Sequence, residues 1–295
     1  MSISAEVVRQ LREETGAGMM DCKGALVEAQ GDMEKARDLL RKKGLAAAAR
    51  KASRVASDGA VGSHIGEGSR LGVIVEVNCE TDFVAKTPGF QALVKDVAAH
   101  IASQAPADVA ALAGQPFAKQ PGRTVGEAVQ EQIAVIKENI VIRRFARFEL
   151  APGSSGVVAA YIHPPAAKVG VLVELAPESA DKVTLAALAK DVAMHVAAAS
   201  PAAALYVSKD EVPEDVLAKE KEIYRAQALA SGKPATVVDK IAEGKVKEYY
   251  GTFCVLEQPY IREPKATVGQ HLRGKATLRR FARFRLGEES GPKTE

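Results

Sequence analysis

The chain has 295 residues, 47% hydrophobic and 26% charged, enough for two or three small domains with cores of their own. Forty basic against 37 acidic side chains leave a formal charge of +3, and aromatics make up only 5% with no Trp, which argues against a strongly basic nucleic-acid binder or a base-stacking platform. Three distant cysteines, Cys22, Cys79 and Cys254, form no CxxC pair, so neither a zinc site nor a disulfide framework is expected, and they read as thiols in a reducing compartment.

Residues 1–53 read as a small helical module with its linker. Ser4 is placed to cap a helix with Val7, Val8 and Leu11 on one face, ending at Gly16. Asp21 is expected to start a second helix carrying Ala25, Leu26 and Ala29, which stops at Gly31. Asp32 starts a third with Met33, Ala36, Leu39 and Leu40 inward, and Gly44 is expected to stop it before an alanine-rich, basic helical linker. Glu6, Glu13 and Glu14 in the opening helix are unlike a signal or transit peptide. No apolar run approaches the roughly 20 residues that span a bilayer, so a cytoplasmic protein without membrane contact is expected.

The strand-like run 71–77 leads into Asn78-Cys79-Glu80-Thr81-Asp82-Phe83-Val84-Ala85-Lys86, followed by Pro88 and a helical pattern. This is a connection that sets an acid beside a large apolar ring. On local chemistry alone, Thr81 or Asp82 caps a turn of helix, and Phe83 either joins the core or is offered to another protein.

An internal repeat organises the rest. The run 71–77 matches 169–175, and 95–102 matches 190–197. Thr124-Val125-Gly126 matches Thr267-Val268-Gly269, and Arg143-Arg144-Phe145-Ala146-Arg147-Phe148 recurs unchanged at 279–284. Four segments in the same order predict two α+β units, each a short antiparallel sheet against helices. The expected divisions are 54–152 for the first unit and 153–207 with 251–287 for the second. The Lys-Asp-Val segments are 95 positions apart and the Arg-Arg-Phe segments 136, so the second copy carries about forty extra residues. They are placed at 208–250, where Pro213 opens one helix, Ser231-Gly232-Lys233-Pro234 turns the chain, and a second helix runs to Tyr250, a projecting helical hairpin. Leu217, Tyr224 and Ala228 on the first helix, with Val237, Val238 and Ile241 on the second, are expected to face each other.

In the repeated strand, Ile140, Ile142, Ala146, Phe148 and Leu150 are expected on one face, interrupted by Arg144, and Phe145 lies between Arg143 and Arg147 on the other. Such a basic-aromatic stripe offers an RNA-binding alternative, while the plainer reading pairs the arginines with Glu76 and Glu174 on neighbouring strands. With total charge balanced, direct nucleic-acid binding is not expected. His100 and His195 fall at equivalent helix positions without metal-ligand spacing and read as structural, whereas His163, before Pro164-Pro165, is a candidate contact. Met19 and Met20, at a helix junction, are core or adaptable contacts. No phosphate-binding glycine loop and no nucleophile setting is present, so no catalytic chemistry, cofactor or metal is expected, and any effect on nucleotides would pass through another protein.

The NCETDFVAK stretch resembles the signature of the bacterial elongation factor Ts family, as do the run 11–23, Glu138-Asn139-Ile140 and Ser231-Gly232-Lys233-Pro234, so that the resemblance runs through nearly the whole chain. It implies an α+β fold with an N-terminal ubiquitin-associated-like module, two repeated core subdomains and a coiled-coil insertion. It further implies a guanine-nucleotide exchange factor, not an enzyme, that binds elongation factor Tu in its GDP-bound and nucleotide-free forms, in a one-to-one complex able to dimerise. Thr81, Asp82, Phe83 and Val84 are implied in displacing the partner's Mg²⁺, and Met19, Met20, Lys23, Ile140 and His163 in partner contact. One departure is that studied family members continue into a C-terminal helical module, whereas here a tail expected to be disordered, 288–295, follows the last core strand.

Overall fold

A computed structural model describes residues 3–198 and 202–288. The protein is α+β, with small antiparallel sheets against helices, as the repeat implied. Helices α1 (Ala5–Thr15), α2 (Met19–Glu28) and α3 (Met33–Lys51) form the N-terminal module around Val8, Leu11, Cys22, Ala25, Leu26 and Ala36. Ser4 and Asp32 cap α1 and α3 as expected, and Gly16 ends α1 in the left-handed conformation.

Two expectations are corrected here. Helix α2 starts at Met19, because Gly18 already accepts the first helical hydrogen bond from the Cys22 amide, and Asp21 lies inside the first turn. Helix α3 does not stop at Gly44 but continues through the alanines to Lys51. A Cβ on Gly44 would lie 2.9 Å from the Ala134 methyl, so this glycine lets α3 approach a core helix. Ala48 then joins the first core, so the module's third helix and most of the linker are one continuous helix docked on it.

Strands β1 (Asp58–Ile65), β2 (Leu71–Cys79) and β3 (Ile140–Glu149) form the first sheet, in that order. Between β2 and β3 lie the single turn α4 (Asp82–Ala85) and helices α5 (Pro88–Gln104), α6 (Val109–Gly114) and α7 (Val125–Ile136). The second sheet has the order β4 (Val157–Ile162), β5 (Val169–Pro177) and β8 (Ala276–Arg285). Helix α8 (Lys182–Ala197) packs beneath it, and the chain then runs through α9 (Glu214–Ala230) and α10 (Ala235–Phe253). A short ribbon, β6 (Pro259–Tyr260) with β7 (Glu263–Thr267), and helix α11 (Val268–Leu272) return it to β8.

The duplication holds at the level of single hydrogen bonds. His100 Nε2 meets Gln115 Oε1 at 3.1 Å and His195 Nε2 meets Gln258 Oε1 at 2.9 Å, while each Nδ1 accepts a backbone amide, from Ala118 and Ile261 respectively. Both histidines are buried structural groups, and burial holds His195 below the ordinary imidazole range. Thr124 and Thr267 each close a capping box with Glu127 and Gln270.

The face pattern expected for the repeated strand is wrong in one respect. Pairing with β2 shifts register between Glu76 and Val77, leaving Arg143 as an extra residue that reverses the alternation. Ile140, Ile142 and Phe145 therefore face the helices, and Ala146, Phe148 and Leu150 face the other sheet. The same shift occurs between Glu174 and Leu175 in the second sheet. The two sheets pack face to face through Val61, Ile74, Phe148, Val158 and Leu172, with Phe284 against them. Each sheet's arginine reaches across to the other: Arg144 lies over the Phe284 ring at 4.5 Å and Arg280 over Phe148 at 4.3 Å. At the same time Arg144 pairs with Glu76 and Arg280 with Glu174, both at 2.7 Å, which is the plainer reading of these arginines.

The helices of the hairpin begin after Pro213 and Pro234 as expected. The inner face of α10 is Val238, Ala242, Val246 and Tyr249, while Val237 is 38% exposed and Ile241 is half-buried. Tyr249 and Cys254, with Val212, fasten the root of the hairpin. Of the expected tail, 289–295 lies outside the described residues, and Glu288 is held by Arg283 at 2.8 Å.

Glu76 is fully buried and its pair with Arg144 is 17% exposed on the arginine side. Arg144→Ala would strand that carboxylate, and a loss of about 3–5 kcal/mol in urea unfolding is expected. A loss within about 0.5 kcal/mol, the range of ordinary surface changes, would show the pair to be dispensable.

Candidate functional site

Every side chain of the 78–87 segment has a partner or a packed place within the protein except one. Asn78 closes the end of β2 by donating to the Asp58 carbonyl and to Glu76. Cys79 is buried and its Sγ donates to the Thr81 carbonyl at 3.1 Å. Burial, with the nearby Glu138 charge, pushes this thiol up to about 12, so it is a packing group and not a nucleophile. Thr81 caps α4 by accepting from the Val84 amide, a contact worth about 1 kcal/mol. Val84 packs on the first core, Ala85 is buried, and Gln91 donates to the Ala85 carbonyl at 2.6 Å.

The remaining residue is Phe83, which is 79% exposed. The ring is thus not core, and the α4 turn presents it to solvent from a backbone fixed on both sides. Asp82 beside it is paired with Lys86 at 2.6 Å, one helical turn on. The hydrogen bond from Lys86, then its charge, holds the Asp82 carboxyl below the ordinary carboxylate range, and Asp82 in turn raises Lys86.

The turn is fastened from a distance in sequence. The Glu138 carboxylate accepts from the Glu80 amide (3.1 Å), the Thr81 amide (3.0 Å) and the Thr81 hydroxyl (2.6 Å). Glu80 reciprocates, its Oε1 accepting from the Asn139 amide at 2.7 Å. Asn139, itself buried, donates through its side chain to the Arg54 carbonyl at 2.8 Å.

The other sequence candidates are distributed around this turn. His163 is exposed, bonded to the Tyr161 hydroxyl at 3.1 Å, and it opens the loop 163–168. Pro165, Ala166, Ala167 and Lys168 from that loop line a crevice of about 280 Å³ together with Asp82 and Lys86. The loop is held there by Lys168 with Asp58 at 3.1 Å and by the Val61 amide donating to the Ala167 carbonyl. Met19, Met20 and Lys23 lie exposed on α2, with Met20 75% exposed. Ile140 is corrected: at 3% exposure it sits in the first core at the start of β3, and its side chain is not offered to a partner. Its neighbours Glu138 and Asn139 act on the turn instead. Glu138 and Lys86 were missed as individual residues; the i, i+4 spacing of Asp82 and Lys86 was the available signal for the second.

Among the described residues no cluster of three metal-ligating side chains occurs, and no helix is long and apolar enough to cross a membrane. Further arginines of the repeated strand are engaged: Arg147 donates to the Ala102 carbonyl and pairs with Glu149, and Arg283 pairs with Glu288. What remains is a duplicated α+β scaffold that presents a fixed, exposed aromatic turn. The model of the family described as Elongation factor TS matches residues 80–288. Elongation factor Ts of Syntrophotalea carbinolica is 50% identical over 297 residues, covering 98% of this chain and 94% of the relative. That of Trichlorobacter lovleyi is 48% identical over 298 residues with the same coverage, and that of Methylococcus capsulatus 46% over 290, covering 98% and 93%. The chain belongs to the elongation factor Ts family.

The pairing of Asp82 has a measurable pH signature. Its folded pKa is depressed, so the pair is intact above the ordinary carboxylate value of about 3.9 and is lost as pH falls through the lower, folded value. An NMR titration of the Asp82 carboxyl should give a midpoint below that ordinary value, and Lys86→Met should bring it back up. A midpoint unmoved by Lys86→Met would mean that the two groups do not interact in solution.

Proposed function

We propose that this protein is a guanine-nucleotide exchange factor that binds elongation factor Tu carrying GDP, displaces the partner's Mg²⁺, and loosens the nucleotide site so that GDP leaves and GTP rebinds. The observation that carries this reading is the exposure of Phe83 on a turn whose backbone is fixed. A GTPase holds GDP through backbone donors of its phosphate loop and through Mg²⁺ bridging phosphate and side-chain oxygens. A factor that binds the nucleotide-free form better than the loaded form must weaken GDP by the same coupling free energy with which GDP weakens the factor.

Phe83 is the wedge, entering an apolar gap between partner helices, with Val84 supporting it from its own core side. Asp82 exchanges Lys86 for a group near the segment that holds Mg²⁺. Thr81 fixes the turn. Burying one aromatic ring is worth roughly 1.5–3 kcal/mol, and at about 1.4 kcal/mol per tenfold this corresponds to roughly tenfold to a hundredfold in the exchange equilibrium. Met19, Met20 and Lys23 form a second contact on α2, and His163 a third on the loop beside the crevice. The protein contributes no bond-breaking chemistry of its own, needs no cofactor, and works in the cytoplasm.

Phe83→Ala removes the ring without touching the fastening of the turn, so unfolding should shift by no more than about 0.5 kcal/mol. Release of fluorescent GDP from elongation factor Tu should slow by at least about tenfold. Full exchange activity in the folded variant would overturn the wedge assignment.

A further inference from the structure

Resting on the exchange reading above, we infer that Glu138 is the positioning residue of the Phe83 turn, and that the three consecutive residues Lys137, Glu138 and Asn139 register that turn against the N-terminal module. Each of the three reaches a different element. Lys137 pairs with Asp21 on α2 at 3.4 Å, on the helix that carries Met19, Met20 and Lys23. Glu138 accepts the three hydrogen bonds from Glu80 and Thr81 already described. Asn139 binds the Arg54 carbonyl, just beyond the end of α3, while its backbone amide is held by Glu80. Arg54 also reaches Glu80 Oε1 at 3.6 Å, which closes the ring of contacts between linker and turn.

The backbone agrees with this role. Lys137 ends α7 with φ at +70°, a left-handed conformation that few residues other than glycine adopt. It reverses the chain so that Glu138 points back toward the end of β2, and such a conformation persists where its surroundings fix it. The Phe83 side chain is 79% exposed, so little packing holds it. Its direction is therefore set by the backbone of residues 80–82, and the Glu138 carboxylate holds two of that segment's amides. A displacement of about 1 Å in a group that must enter a defined gap is enough to cost on the order of a hundredfold in rate. Glu138 itself need not touch the partner.

The test uses the full chain with Glu138→Ala and Glu138→Gln, and reads two quantities. Amide hydrogen exchange of Glu80 and Thr81 in the free protein should accelerate by about tenfold or more in Glu138→Ala and by less in Glu138→Gln, which keeps one acceptor oxygen. In GDP release from elongation factor Tu at increasing factor concentration, Glu138→Ala should lower the maximal rate by about tenfold while the half-saturating concentration stays within about twofold. Glu138→Gln should recover most of that rate. Amides that stay protected in Glu138→Ala would overturn the inference, as would freed amides with an unchanged maximal rate. A raised half-saturating concentration alone would overturn it too, since that marks a docking contact. Should Glu138→Ala fail to fold, Glu138→Gln decides by the same two readings. A wild-type chain that left GDP release unchanged would sink the exchange reading, while the amide measurement, which needs no partner, still decides whether Glu138 fastens the turn.

Discussion

One carboxylate, that of Glu138, holds the end of β2 to the start of β3 across the whole helical excursion between them. Its three hydrogen bonds restrain residues 80 and 81, and an unrestrained connection would lose roughly 1–2 kcal/mol of ordering entropy per residue on binding. With this carboxylate in place, the backbone amides of Glu80 and Thr81 are satisfied, Thr81 caps α4, and Val84 and Ala85 are drawn into the core. The only apolar side chain of the turn left outside is Phe83. For the proposed wedge a rigid support matters, because a turn whose backbone is already ordered loses little further freedom when its ring is buried against a partner.

Duplication supplies the scaffold, and departures from it supply the candidate contacts. The two sheets mirror each other down to the position of the register shift and the arginine that crosses to the opposite phenylalanine. Their face-to-face packing fixes β1 beside β4, which brings the loop 163–168 of the second copy against Asp58 and Asp82 of the first. The copies differ after their central strands. In the first, the α4 turn stands between β2 and α5, whereas in the second Asp181 caps α8 directly and no such turn exists. The second copy instead carries the hairpin of α9 and α10 between α8 and the ribbon of β6 and β7. Neither departure disturbs the paired His–Gln bonds or the capping boxes, so the folding instructions common to both copies are kept apart from the features that distinguish them.

Much of this was legible in the residues. The repeat gave two α+β units because the sheet register depends on matching apolar runs, which survive as recognisable strings. Caps at Ser4 and Asp32 and the prolines before α9 and α10 were readable because each acts within three or four residues. Gly44 was misread because a glycine at a helix end and a glycine at a helix crossing look alike until Ala134 is seen beside it. The faces of β3 were misassigned because one extra residue, Arg143, reverses every side chain beyond it and leaves no local mark. Ile140 reads as a contact, and the role of Glu138 on the turn stays hidden, because the family-like Glu-Asn-Ile string does not say which member points inward. Only the long-range bond to Thr81, 57 positions away, distinguishes them.

The central claim is that the Phe83 ring stands in solvent when the protein is alone and is enclosed when it meets a nucleotide-free GTPase. Hydroxyl-radical footprinting of the unmodified chain reads this directly, since it reports side-chain oxidation residue by residue. Phe83 should be oxidised readily in the free protein, become protected when nucleotide-free elongation factor Tu is added, and be re-exposed when excess GDP dissolves the complex. A ring that is equally oxidised in the free and bound states would contradict the wedge.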